Sequence, residues 1–434
     1  MLAELRQQTG VKHIEANEPR SDPFGNWAPY TAYPQNEGEV SRILSYASQK
    51  GLKIIPVGGG TKRGFGGTEP KADVLLSLSH LKGIVEHSPG DMIATIKPGT
   101  TIAELKAKLA EHGQMLPLDP YWPDEATIGG VIAANDSGPK RLKYGSARDH
   151  VIGLRIVYPD GRIIRSGGKV VKNVAGYDMN KLFIGSMGTL GVLTEITVKL
   201  RPLPQDERLV LLSFAEDKLA NVRQFALRLL DSVLEPVTLE LLNPAINKRL
   251  TDHEGYGLAI TFEDREKAVN YQEQWIKTNI PQGTCVEVLS RDKTREWWNR
   301  FAMLPPNPNH QCGQHEIALK IGSQNMDVLP IIEECQRLAL QHGIVLEAHG
   351  GLGHGLSAVY IRHDARQVET LVRGLRSFVE QRNGYVVIRH APLSFRQKVS
   401  VWGEKPAYFP LLEGIRKTID SQLILNHKRF VGGL

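Results

Sequence analysis

Apolar side chains recur at Val40, Ile43, Leu44 and Ala47, the three-and-four spacing that lays one stripe along a helix. Asn36 with Glu39 resembles a capping box, and Gly51 stands where a left-handed stop belongs, so a helix is predicted between them. A β-rich run follows at 52–57 and halts in Gly58-Gly59-Gly60. Strand patterns return at 74–78 and 92–97, and Thr101 with Glu104 caps a helix carrying Ile102, Leu105 and Leu109. The runs 154–158 and 162–166 flank Pro159-Asp160-Gly161 and read as a hairpin. Residues 1–27 show little periodicity, and 18–29 is rich in Pro, Gly, Asn and Asp, so this segment reads as a loose lead-in, with order beginning near Tyr33.

From about Glu207 glycine thins out and the pattern changes. Strand runs at 209–214, 237–242, 258–262 and 285–289 alternate with helical runs at 219–230 and 266–278 in the order β-α-β-β-α-β. After a polar, proline-containing stretch around 305–308 the order recurs: 316–321, helix 328–341, 344–347, 356–361, helix 368–381, 385–389. An α+β fold is predicted, its second half built from two tandem ferredoxin-like units. Their antiparallel strands can merge into one sheet with helices on one side, leaving the other side free to face a cofactor.

The 434 residues exceed what one core usually serves, so several domains are expected. With 41% apolar and 23% charged residues and no apolar run near the ~20 residues that cross a bilayer, the composition is that of a globular chain without a membrane span. The first twenty residues lack the apolar core of a secretory signal, which makes a cytoplasmic location the default. Cys285, Cys312 and Cys335 are odd in number and widely spaced, so neither a disulfide framework nor an iron–sulphur or zinc site is expected. The net charge of +6 is scattered, without the basic block that marks a nucleic-acid surface.

Three clusters of small residues carry the candidate chemistry. The first is Pro56-Val57-Gly58-Gly59-Gly60-Thr61-Lys62, where missing side chains expose successive backbone N–H groups beside a hydroxyl and an ammonium. Taken alone it is either a phosphate cradle or a tight turn. Arg63 occupies the last position of a G-x-G-x-x-G register, and no Walker-type loop occurs, so the common nucleotide fingerprints do not apply. The second runs Thr127-Ile128-Gly129-Gly130-Val131-Ile132-Ala133-Ala134-Asn135-Asp136-Ser137-Gly138, followed by Tyr144-Gly145. The third is Gly185-Ser186-Met187-Gly188-Thr189-Leu190-Gly191-Val192. Three such loops in one half of the chain point to a single extended ligand lying close to backbone.

From about Tyr33 to Pro204 these segments resemble the FAD-linked oxidases of the vanillyl-alcohol oxidase class, whose FAD lies between two α+β lobes of a PCMH-type domain. The resemblance implies a lead-in over 1–27, an FAD-binding domain over 28–206, a substrate or cap domain over 207–392 and a tail over 393–434 that packs back on the FAD domain. It makes the three clusters FAD contacts. Some class members tether FAD covalently through a histidine in the first loop; Thr61, Lys62 and Arg63 stand here instead, so non-covalent FAD is expected. Lys62 and Arg63 are then phosphate contacts or a solvated turn.

A narrower likeness, to the FAD-binding subunits of bacterial glycolate oxidase (glycolate dehydrogenase), rests on Gly168 through Phe183, Arg389-His390-Ala391-Pro392, Val401-Trp402-Gly403 and Asn426 through Gly433. It implies an FAD-dependent enzyme oxidising glycolate or another small 2-hydroxy acid, in complex with a homologous flavin subunit and an iron–sulphur subunit. Contact with the inner membrane would then be peripheral, through those partners.

Related D-2-hydroxy-acid enzymes hold a divalent cation in an H-x-G-D-G-N-x-H stretch with a later Glu-His pair. Here the stretch is His349-Gly350-Gly351-Leu352-Gly353-His354-Gly355-Leu356 and the pair is Arg389-His390. Two of four ligands are replaced and one becomes a cation, so no metal is expected. Arg389 could instead grip a substrate carboxylate as a fork, with His349 or His390 as general base, or these residues could be remnants packed against the flavin face. Three readings stay open: a dehydrogenase subunit, a stand-alone oxidase of another hydroxy acid or alcohol, and a non-catalytic FAD-binding scaffold.

Overall fold

A computed structural model describes residues 2–18, 22–169, 176–310, 316–362 and 365–434. Part of the run from Gly168 to Phe183, and Cys312, lie outside the described residues.

The first lobe is a four-stranded sheet of β1 (Ile14–Ala16), β2 (Tyr30–Ala32), β3 (Ile54–Val57) and β4 (Val74–Ser77), in the order β1-β2-β4-β3. The helix Glu37–Lys50 covers it, capped by Asn36 at one end and by Gly51 at φ 68° at the other. The N-terminal segment is not a loose lead-in. A helix, Leu2–Thr9, and β1 add to this lobe, burying Leu5, Val11 and Ile14. A three-residue strand is too short to show periodicity, which is why the pattern missed it.

The second lobe is a five-stranded antiparallel sheet of β5 (Ile84–Ser88), β6 (Ile93–Ile96), β8 (Val151–Val157), β9 (Ile163–Gly167) and β10 (Val192–Lys199). The predicted hairpin is β8 with β9, turning at Gly161 with φ 89°. The helix Ile102–Ala110 starts in the capping box formed by Thr101 and Glu104. A two-strand ribbon, β7 (Gln114–Met115) with β11 (Arg201–Pro202), leads out of the lobe.

The rest forms one eight-stranded antiparallel sheet: β12 (Asp206–Phe214), β13 (Thr238–Leu242), β14 (Tyr256–Asp264), β15 (Cys285–Leu289), β16 (Glu316–Gly322), β17 (Leu346–Gly351), β18 (Leu356–Arg362) and β19 (Tyr385–His390). The order β15-β12-β14-β13-β17-β18-β16-β19 is two ferredoxin-like units joined through β13 and β17. Helices Leu219–Leu230, Glu266–Asn279, Val328–His342 and Ala365–Glu380 pack on one side over a continuous apolar core.

The other side is only partly free. A helix at Arg291–Ala302 buries Trp297 and Phe301 against Leu209, Leu211, Ala259 and Tyr360. Each such side chain withdrawn from water contributes roughly 3 kcal/mol. Its sequence, RDKTREWWNRFA, carries too few apolar positions among charges to register as periodic, so the pattern passed over it. What remains of this face lies against the FAD-type lobes and displays Glu240, His349, Tyr360, Lys320 and Arg389, which alternate with core residues along their strands.

Candidate functional site

A cleft of about 890 Å³ runs between the two lobes. Pro56, Val57, Gly58, Gly59, Gly60, Thr61 and Lys62 form one wall, Thr127, Gly129, Gly130 and Ala133 another, and Gly191 and Val192 close it. The N–H groups of residues 58–62 donate to no acceptor among the described residues, leaving a run of unmet donors. A Cβ on Gly58 would stand 2.1 Å from Thr127 Oγ1, and one on Gly59 would stand 1.7 Å from the Glu125 carbonyl oxygen. Glycine is obligatory there because the first two loops meet backbone to backbone.

Buried arginines from the C-terminal tail hold the segment after the glycine loop. Arg429 donates to the carbonyls of Lys62 (2.8 Å) and Phe65 (3.1 Å), and Arg396 donates to those of Phe24, Gly66, Gly67 and Ala391. Asn426 donates to the Met187 carbonyl at 2.7 Å, and its own N–H to the Ile54 carbonyl at 2.9 Å. Arg63, also on the cleft lining, is tied to Asp22 at 2.5 Å and to the Pro308 carbonyl at 2.9 Å. From the large-sheet domain Asn309 reaches over to the Gly59 carbonyl at 2.6 Å. Met187 and Gly188 of the third small-residue cluster also line the cleft, as do Asn26, Asn426 and Arg429, which were missed as contacts although two of them lie in the tail motif.

Other predicted contacts lie elsewhere. Ile128 is wholly buried in the second lobe's core. Ser137 accepts from Arg141 (3.2 Å), and the Gly138 N–H donates to Asp119 (3.0 Å). The Tyr144 hydroxyl donates to Glu263 at 2.7 Å, within a buried group of Lys140, Glu207 and Glu263 that joins the lobe to the large sheet. Gly145 ends the short helix Arg141–Tyr144. Of these four, Tyr144 serves the seam between domains and the others hold local turns, while Asn135, with Ala134 and Asp136, lines a second cavity.

That cavity, about 1430 Å³, adjoins the cleft through Lys62, Ala134 and Met187 and reaches the large sheet at Lys320, Val387 and Arg389. Asp136 sits at the junction, only 5% exposed, paired with Arg389 and, at 2.8 Å, with Lys62. Burial alone would raise its carboxyl, but Arg389 and Lys62 together hold it at about 2. Burial, then the charge of Arg389, pushes Lys320 down to about 8. The Arg389 guanidinium also stacks over the Tyr121 ring at 4.9 Å.

His349 stands one residue behind this group. Its Nε2 lies 2.9 Å from the Tyr360 hydroxyl and 3.4 Å from that of Tyr121, and its Nδ1 lies 2.6 Å from Glu240. Burial, then the charge of Arg389, holds its imidazole at about 3, while burial pushes Glu240 up to about 8 against the opposing charge of His354. Both partners are therefore neutral near pH 7 and meet within hydrogen-bond distance, with Tyr360 on the far side of the imidazole. His354 accepts the Leu356 N–H at Nδ1 (3.2 Å), and its Nε2 lies 3.9 Å from Glu240. His390 points away from this chain of groups, packed between Phe24 (4.8 Å) and Gly64, with Nε2 unpartnered and the ring held near 3 by burial. Arg389 is thus brought to a cavity, His349 is reached only through a tyrosine, and His390 belongs to the loop after the glycines. Lys320, Asp136, Glu240, Tyr121 and Tyr360 had no local sequence signal.

Residues 28–167 match the FAD binding domain family. Over 226 residues the chain is 38% identical to glycolate oxidase subunit GlcD of Bacillus subtilis, covering 52% of this chain and 47% of that protein. It is 42% identical over 152 residues to glycolate oxidase subunit GlcE of Escherichia coli (35% and 43% covered) and 34% identical over 241 residues to D-lactate dehydrogenase of Archaeoglobus fulgidus (54% of each). The matches span about half the length of these relatives. Among solved structures, 4-ethylphenol oxidase from Gulosibacter chungangensis superposes with a TM-score of 0.77 over 99% of this chain and 96% of that one at 16% identity. For p-cresol methylhydroxylase the values are 0.74, 99%, 96% and 13%. The fold is that of the PCMH-type FAD oxidases. The unmet N–H groups beside Lys62, and a largely apolar cleft lined by all three small-residue clusters, fit a dinucleotide flavin, and among the described residues no histidine or cysteine lines the cleft to tether it.

Proposed function

We propose, proceeding from an FAD-binding domain over residues 28–167, that this chain is the flavin-holding subunit of a dehydrogenase for a small 2-hydroxy acid, glycolate being the favoured substrate. Non-covalent FAD occupies the cleft with its diphosphate on residues 58–62. Convergence of Lys62, Lys320 and Arg389 at the end of that cleft carries the reading, because three cations beside one carboxylate make a site for a small organic anion. FAD, when bound, supplies the hydride acceptor. Arg389 and Lys320 hold the substrate carboxylate, and Tyr121, pressed against Arg389, with Tyr360, joined to the neutral His349 and Glu240, orients the polar end of the site. The relatives named as glycolate oxidase subunits support assembly with further subunits, and the reading adds a homologous flavin subunit and an iron–sulphur subunit that takes the electrons. Among the described residues no helix is long and apolar enough to cross a membrane, so contact with the inner membrane would run through those partners.

Replacing Arg389 with Gln tests this directly. The hydroxy-acid concentration that half-reduces the flavin should rise at least about tenfold with FAD content unchanged; an unchanged midpoint removes Arg389 from the substrate site. A second reading draws on Asp136, whose carboxylate already neutralises Lys62 and Arg389. On that reading the chain holds FAD while a partner turns over substrate, and the isolated chain shows no flavin reduction.

A further inference from the structure

Asp136 is a carboxylate lodged inside an anion site. It follows Asn135, whose left-handed backbone (φ 46°) stops the helix Ile128–Ala134 and turns the chain into the cavity wall. The Asp136 N–H donates to the Val131 carbonyl at 3.0 Å, so its backbone is fixed, and the side chain is 5% exposed. The two carboxylate oxygens go to different cations, Oδ1 to Arg389 and Oδ2 to Lys62. Lys320, on the same cavity wall, makes no salt bridge among the described residues and feels the charges of Arg389, Arg141 and Lys62 as well as that of Asp136.

Three cations thus share one internal anion. Their surplus charge attracts a second carboxylate, while Asp136 competes with it for the guanidinium and for Lys62. A substrate carboxylate in the cavity can pair with Lys320 without displacing an anion, because Lys320 has none of its own within salt-bridge range among the described residues.

We propose that Asp136 is the resident anion of this site and sets its affinity: a small carboxylate binds by pairing with Lys320 and by drawing Arg389 partly away from Asp136. The choice of a 2-hydroxy acid as that carboxylate rests on the functional reading above; the resident-anion role rests on the geometry of Asp136, Lys62, Arg389 and Lys320. An uncharged side chain at position 136 leaves Lys62 and Arg389 without an internal partner and makes the site a stronger anion trap. Loss of the Lys320 ammonium removes the cation that has no internal partner and weakens it.

The test is calorimetric titration of the purified full chain with glycolate and, separately, with oxalate, for the wild type, Asp136→Asn, Asp136→Ser and Lys320→Met, with FAD content and melting temperature recorded for each. The smaller serine keeps the comparison available should the asparagine variant fail to fold. Both charge-removing variants at 136 should bind oxalate at least about tenfold more tightly than wild type, and Lys320→Met at least about tenfold more weakly. Equal or weaker binding in folded Asp136 variants, or unchanged binding in Lys320→Met, overturns the proposal. FAD content separates this outcome from the functional reading. Anion binding that follows the predicted order in a chain without FAD leaves the resident anion standing and sinks the flavin reading; FAD present with the order absent does the reverse.

Discussion

Gly59 offers the sharpest perturbation of the cleft. A Cβ there would lie 1.7 Å from the Glu125 carbonyl oxygen and 2.8 Å from its carbonyl carbon, with no flexible side chain to yield. Relief demands that the two glycine-bearing loops separate by roughly 1.5 Å, since non-bonded contacts settle only near ~3.5 Å and a few tenths can be absorbed. Overpacking of this kind costs ~1–3 kcal/mol, and the upper end applies where backbone meets backbone. Because both loops line the cleft, most of that cost falls on cofactor binding, and ~2.7 kcal/mol corresponds to ~100-fold in Kd. Titration of deflavinated Gly59→Ala with FAD, followed by quenching of flavin fluorescence, should show this loss. Gly90→Ala serves as control, since a Cβ at Gly90 meets nothing within 4 Å. FAD binding by Gly59→Ala within twofold of wild type would refute the assignment of residues 58–62 as the cofactor cradle.

Other consequences are open to measurement. Asp136 is held at about 2, below its ordinary 3.8, so the stability it contributes is present above pH ~4 and lost as the pH falls toward 2; the acid-unfolding slope in that window should flatten in Asp136→Asn by about one proton. Glu240 behaves oppositely: with its carboxyl raised from 4.5 to about 8, stability falls as the pH climbs through that range, and Glu240→Gln should remove the decline in a melting-temperature series between pH 5 and 8. Arg396 binds four backbone carbonyls in a buried setting, so Arg396→Met should cost about 3–5 kcal/mol by chemical denaturation and loosen FAD, whereas a loss below ~1 kcal/mol would show that the tail does not clamp the loop.

Local signals carried much of this fold. The caps at Asn36, Gly51 and Thr101, the turn at Gly161, and both β-α-β-β-α-β series are written in neighbouring residues, and the structure places elements where they indicate. The first glycine loop could be read because glycines crowd where backbones must touch. The helix Arg291–Ala302 could not, since two aromatic side chains hold it down amid charges and no stripe results. Asp136 meets Arg389 across 253 positions, a pair that exists only once the large sheet is docked on the lobes, and Glu240 meets His349 across 109, once the two halves of that sheet join. Tyr144 and Gly138 show the converse: residues in a run of small and polar positions near a cofactor loop can serve a domain seam or a local turn instead. His349 and His390, adjacent to predicted ligand positions in sequence, diverge because one lies on the face toward the lobes and the other sits at the bulge that ends β19.

Anaerobic addition of glycolate to the purified, FAD-loaded chain, with absorbance followed near ~450 nm, tests the central claim most directly. The account predicts bleaching that saturates with glycolate and needs at least about tenfold more of it in Arg389→Gln. A chain that holds stoichiometric FAD yet stays yellow at saturating glycolate and D-lactate, both alone and with its partner subunits, would contradict it.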